Sequence, residues 1–211
     1  MTAEPFPDLV DVSWLAEHLS DPDLVVIDST SHLEVPEDGP YTIESGAGTY
    51  AAEHIPGAHF ADLLTDFADP GNDEPWTAAD HDRFAAAAGA LGIGDGAKVV
   101  VYSQHAPFWA TRLWWQLRFE GFDDVAVLDG GLPAWKAAGG AVTADPSTPT
   151  PRTFAGVQQQ ARVQGNNNNI VFAAPLNQVV KNPTILNVVN NTTVINNTTV
   201  VNKNVQNNNL V

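Results

Sequence analysis

The chain has 211 residues, 44% hydrophobic and 16% charged, enough for one ordinary globular domain with an appendage or for two small domains. Its 25 acidic residues against 9 basic ones give a formal net charge of -16, which argues against partners that present a phosphate backbone or an anionic lipid surface. Cysteine is absent, so disulfide frameworks, thiolate-ligated metals, iron–sulfur clusters and every thiolate mechanism are excluded for this chain on its own.

No apolar run reaches the roughly 18 residues of a membrane-spanning helix. The start, MTAEPFPDLVDV, lacks the basic residues and apolar stretch of a secretory signal. The expectation is a soluble, cytoplasmic protein with neither a membrane nor a nucleic-acid partner.

In chain order, DVSWLAEHL supplies a helix over 13–19, and LVVID a strand over 24–28 that is apolar enough to lie inside a sheet. Thr77 with Asp80 three residues on resembles a capping box opening a helix over 80–91, which Gly92 and Gly94 end. KVVVYS, 98–103, is a second fully apolar strand. The helix predicted over 108–120 places Ala110, Leu113, Trp114 and Leu117 on one face, and Gly121 stops it. VAVLD, 125–129, is a third strand. Gly130 and Gly131 turn the chain into a short helix over 133–138, with Pro133 early in it and Gly139 just beyond. This alternation predicts an α/β fold: a mostly parallel sheet with helices on both faces and right-handed crossovers.

Composition breaks near residue 157. All 25 acidic and six of the nine basic residues lie before it, giving -19 there and +3 after it. Asn72 is the only asparagine before the break and sixteen follow it. The organisation expected is a domain over 1–144, a Pro-rich, exposed and mobile linker over 145–157, and an Asn/Gln/Val/Thr-rich segment over 158–211. That last segment carries NNTTVI and NNTTVV back to back at 190–201. It reads either as a disordered low-complexity tail or as a β-rich hairpin or solenoid-like piece.

At 50–60 the sequence YAAEHIPGAHF resembles a signature of the rhodanese sulfurtransferases. Three further stretches agree in order and spacing: DVSWLAEHL with LVVID, VVVYS followed by ATRLWWQLRFEGF, and VAVLDGGLPAWKAAGG. Arg112, Trp114, Trp115, Leu117 and Arg118, with Leu128, Asp129, Gly130, Gly131 and Trp135, are most similar to the N-terminal, non-catalytic domain of the two-domain thiosulfate and 3-mercaptopyruvate sulfurtransferases. The resemblance implies a rhodanese-like fold and a family chemistry in which a loop cysteine, held at a helix N-terminus, takes sulfur as a persulfide and passes it to a thiophilic acceptor. It also implies a catalytic rhodanese domain as partner, and no cofactor.

By the same resemblance the active-loop equivalent is Ser103, Gln104, His105, Ala106, Pro107 and Phe108, with Ser103 at the nucleophile position. A serine oxygen forms no persulfide, and Pro107 removes a backbone donor from the loop. No catalytic residue is therefore expected here, and the chain alone is expected to be silent. The alternative is a non-enzymatic module that binds a protein or a small anion and assembles through a β-rich tail.

Tyr50, His54, Pro56, Gly57, Arg112, Asp129, Gly130 and Gly131 are expected to serve structure. His54 is read as bonding backbone at a bend set by Pro56 and Gly57, and Arg112 and Arg118 as pairing with carboxylates. Ser103 and His105, two apart in a loop with no G-x-S-x-G elbow, make a poor nucleophile and base. The spacing of His32, His59 and His81 suggests no metal site.

Overall fold

The computed structural model describes residues 5–74 and 76–156, so the sequence readings for 158–211 lie outside the described residues. The strands are β1 (Leu9–Val10), β2 (Leu24–Asp28), β3 (Ser31–Glu34), β4 (Thr42–Ser45), β5 (His59–Phe60), β6 (Lys98–Tyr102) and β7 (Val125–Leu128). The helices are α1 (Val12–His18), α2 (Ala47–Ala52), α3 (His81–Ala90), α4 (Pro107–Phe119) and α5 (Gly131–Ala137).

Strands with no polar face must be covered on both sides. The three apolar runs seen in the sequence accordingly form the centre of a five-stranded sheet, order β1-β7-β6-β2-β5, in which every pairing is parallel. Register sorts the side chains by twos. Val25, Ile27, Val99, Val101, Val125 and Val127 face one way, onto Phe84 of α3 and Leu113 and Leu117 of α4. Val26, Val100, Tyr102, Ala126 and Leu128 face the other, onto Leu15 of α1 and Leu132 and Trp135 of α5. β3 and β4 pair antiparallel as a separate hairpin.

The structure adjusts several boundaries. α3 is capped by Asp80, whose Oδ1 accepts from the Arg83 N–H at 2.9 Å, rather than opened from Thr77. The Thr77 hydroxyl instead donates to the Glu74 carbonyl. α4 starts one residue early, with Pro107 at its first position, where no N–H is needed. α5 starts at Gly131, because Gly130, at φ 71°, supplies the left-handed turn in front of it.

Residues 145–156 are mostly exposed, and they are tied to the domain toward their C-terminal end. The Arg152 N–H donates to the Gly89 carbonyl, the Asp95 N–H to the Thr153 carbonyl, and Phe154 is buried against Phe84 and Phe122. The segment is a strap lying on the domain, and the compact unit runs through Gly156.

Candidate active-loop site

β6 delivers the chain to the carboxyl edge of the sheet, and α4 begins four residues after Ser103. In open parallel α/β sheets this edge is where strand-to-helix loops gather functional groups, because helix N-termini present unpaired N–H groups there. The loop Ser103 to Phe108 is compact. Ser103 is 4% exposed and Gln104 7%. The Ser103 hydroxyl donates to the Ala106 carbonyl at 2.8 Å, and the Ser103 carbonyl accepts from the Leu132 N–H at 3.1 Å. His105 turns outward, its ring centroid 5.3 Å from that of His32 on β3. Phe108, at 51% exposure, stands in solvent at the head of α4.

Gly131 closes the loop from the other side. It sits at φ 56°, and a Cβ there would run into the Ser103 carbonyl. The paired glycines after β7 thus do more than turn the chain: one makes the left-handed bend, and the other lets α5 seat against the loop. Asp129, just before them, is exposed at its side chain, while its N–H donates to the Val10 carbonyl.

Beneath the loop lies a polar cluster that sequence reasoning missed. Asp28, at the end of β2, is fully buried. Its Oδ1 accepts from the Thr30 N–H (2.9 Å) and the Thr30 hydroxyl (2.5 Å), and its Oδ2 from the Gln104 side-chain amide (2.9 Å). Burial raises the Asp28 carboxyl above its ordinary value, against the opposing pull of the bonds from Thr30, Gln104 and Tyr102. Burial likewise pushes the Tyr102 phenol up, and its oxygen accepts from the Ile55 N–H at 3.2 Å. The signal for this cluster was an acidic residue closing an otherwise wholly apolar strand, LVVID.

The HIPGA stretch makes a type II turn: the Ala58 N–H donates to the Ile55 carbonyl at 2.9 Å across Pro56 and Gly57, with Gly57 at φ 80°. His54, buried, lies with Nδ1 2.8 Å from the Tyr50 carbonyl and Nε2 3.1 Å from the Asp145 carbonyl. Tyr50 stacks on His54, and its hydroxyl donates to the Ala58 carbonyl. These residues hold α2, the turn and the start of the strap together.

Arg118 pairs with Asp8 at 2.8 Å. Arg112, read from the sequence as a second carboxylate partner, instead donates to the Trp76 carbonyl and lies over the Trp115 ring, and burial lowers its pKa. Trp76 explains the difference: it is the one non-glycine residue at positive φ among the described residues, and its turned carbonyl meets the guanidinium. His81 bonds Glu120 at 2.6 Å, and His59 lies on the edge strand β5. Among the described residues no group of three or more His, Asp or Glu side chains is placed to hold a metal ion. None of their helices is long and apolar enough to cross a membrane.

A parallel α/β sheet whose central strand feeds a tight loop into a helix N-terminus, flanked by a double-glycine turn, defines a domain of the open parallel α/β class. The comparisons narrow the class. The rhodanese-like domain model matches residues 11–138. A probable 3-mercaptopyruvate sulfurtransferase of Pseudomonas aeruginosa is 40% identical over 152 residues, covering 70% of this chain and 51% of that protein. The 3-mercaptopyruvate sulfurtransferase of Escherichia coli K12 is 36% identical over 129 residues, covering 60% and 43%. Among solved structures, SseA from Escherichia coli superposes with a TM-score of 0.61 at 31% identity, covering 70% of this chain and 55% of that one. The 3-mercaptopyruvate sulfurtransferase from Leishmania major gives 0.59 at 25% identity, covering 74% and 41%. The chain belongs to the rhodanese-like domain family. It spans about half the length, or less, of the curated relatives it matches.

Proposed function

We propose that this chain is a catalytically silent rhodanese domain that supports a catalytic rhodanese domain in sulfur transfer from thiosulfate or 3-mercaptopyruvate. One observation carries the reading: the chain has no cysteine, and position 103, where the family's nucleophile would stand, holds a buried serine whose hydroxyl is spent on the Ala106 carbonyl. Family chemistry forms a sulfur–sulfur bond at a thiolate. A serine hydroxyl, essentially un-ionised at neutral pH, has no sulfur with which to form it. The length of the relatives, about twice that of the matched region in the Pseudomonas aeruginosa protein, supports a partner domain. Its proposed identity is a catalytic rhodanese domain.

The test is sulfur transfer to cyanide by the purified chain, with thiosulfate and with 3-mercaptopyruvate, against a buffer blank. The expected result is the blank rate with both donors. Turnover clearly above it means that sulfur moves here without a thiolate, and the reading fails.

A further inference from the structure

Gln104 is fastened at three points. Its backbone N–H donates to Thr30 Oγ1 at 2.9 Å, and its side-chain amide donates to Asp28 Oδ2 at 2.9 Å and to the Glu53 carbonyl at 3.0 Å. Thr30 relays the first of these bonds, since its hydroxyl accepts from Gln104 and donates to Asp28 Oδ1. Asp28, Thr30 and Gln104 are all buried: Asp28 ends β2, Thr30 lies in the connection to β3, and Gln104 lies in the loop that follows β6, the parallel neighbour of β2.

A loop at a helix N-terminus holds an anion by converging N–H groups on it. This loop has lost several of those donors. The N–H of residue 104, which follows the reacting position, points down to Thr30; Pro107 has none; and the Trp109 N–H goes to the Ala106 carbonyl at 3.3 Å. What faces the side chain of residue 103 is an acceptor, the Ala106 carbonyl.

We propose that Asp28, Thr30 and Gln104 form a latch that holds the 103–108 loop shut over position 103 and turns its leading amide away from any anion bound there. The latch deepens the reading of a silent domain and rests on it. The missing sulfur is one barrier to persulfide chemistry, and the closed, donor-poor loop is a second, independent one. Gln104 is a positioning residue here: it touches no reacting atom and acts through the placement of the backbone.

The absence of native cysteine makes the test clean. Ser103→Cys in the full chain introduces a single thiol, and Thr111→Cys, on the exposed side of α4, supplies an open reference. The rate of alkylation by iodoacetamide, in which the thiolate displaces iodide, is followed against pH. The Ser103→Cys thiol is expected to react at least about ten-fold more slowly than the reference, with a midpoint at or above the ordinary thiol value of about 8.5. Adding Gln104→Ala is expected to raise its rate about ten-fold and to lower its midpoint by roughly one pH unit, as the loop opens and N–H groups turn toward the sulfur. Thr30→Val, which removes the acceptor but keeps the shape, should move both readouts the same way. Circular dichroism confirms folding, and if Thr30→Val does not fold, Gln104→Ala decides.

A Ser103→Cys thiol as fast as the reference, or with a midpoint already depressed, overturns the latch. So does a midpoint that stays fixed when Gln104 is replaced, since loosening alone would change the rate but not the acidity. Alkylation needs no sulfur donor. Turnover by the unmodified chain would therefore sink the proposed function while leaving the latch to be judged on its own readouts.

Discussion

Asp28 places an ionisable group where the sheet is driest, and the balance of forces on it has a measurable sign. Donors from Thr30 and Gln104 favour its ionised form, burial favours the neutral one, and burial wins, so its carboxyl lies above the ordinary 3.8. The folded protein then binds this proton more tightly than the unfolded chain does. The contribution of Asp28 to stability is fully present below 3.8 and is lost as pH rises through the folded value. Asp28→Asn removes the titration. The difference in unfolding free energy between wild type and Asp28→Asn, measured in urea between about pH 4 and pH 7, is expected to shift against the wild type as pH rises. A difference that is flat, or that runs the other way, shows that the donors outweigh burial. At this scale the sequence was legible where one residue type has one conformational use, as at Pro56 and Gly57. It was ambiguous at Asp28, because an acidic residue that closes an apolar strand reads equally well as the step into a solvent loop.

Elements were readable in proportion to their periodicity. β2, β6 and β7 each carry an apolar run of four residues, and α4 carries a full apolar stripe, so all four were placed from sequence within a residue or so. β1 and β5 have two residues each, and α2 has six with no buried side chain, too little chain to show a period of 2 or 3.6. The β3–β4 hairpin alternates weakly, and tertiary pairing decides it. α3 illustrates how caps compete. Two polar residues three apart, Thr77 and Asp80, both suit an N-cap, and the structure selects Asp80 because its carboxylate reaches the Arg83 N–H while the Thr77 hydroxyl is taken by Glu74. Asp80→Ala should therefore cost about 1 kcal/mol of stability in chemical denaturation, and Thr77→Ala much less. Equal losses from the two would return the cap to Thr77.

For the molecule as a whole, the strap bears on where the domain ends. Judged by composition, 145–157 is a spacer, since prolines, serine and threonine with few large apolar residues favour extended chain. Extended chain can nevertheless be bound chain. The Arg152 N–H bonds Gly89 on α3, Thr153 bonds Asp95 beyond it, and the one aromatic in the stretch, Phe154, meets Phe84 edge-on at 5.5 Å and stacks near Phe122 at 5.9 Å. The glycines at 89, 92 and 94 share in this, because a Cβ at each would meet the strap backbone. Read from sequence as helix-ending residues, Gly92 and Gly94 also clear the track on which the strap lies. Two consequences separate a strap from a spacer. Phe154→Ala, at a site 8% exposed, should cost about 3 kcal/mol in urea unfolding, the range of an aromatic removed from a core, where a spacer residue would cost next to nothing. The same substitution should speed proteolytic cleavage within 145–156, because release of the aromatic anchor frees backbone that the folded domain otherwise protects. Unchanged stability together with an unchanged cleavage rate would put the domain boundary back at residue 144.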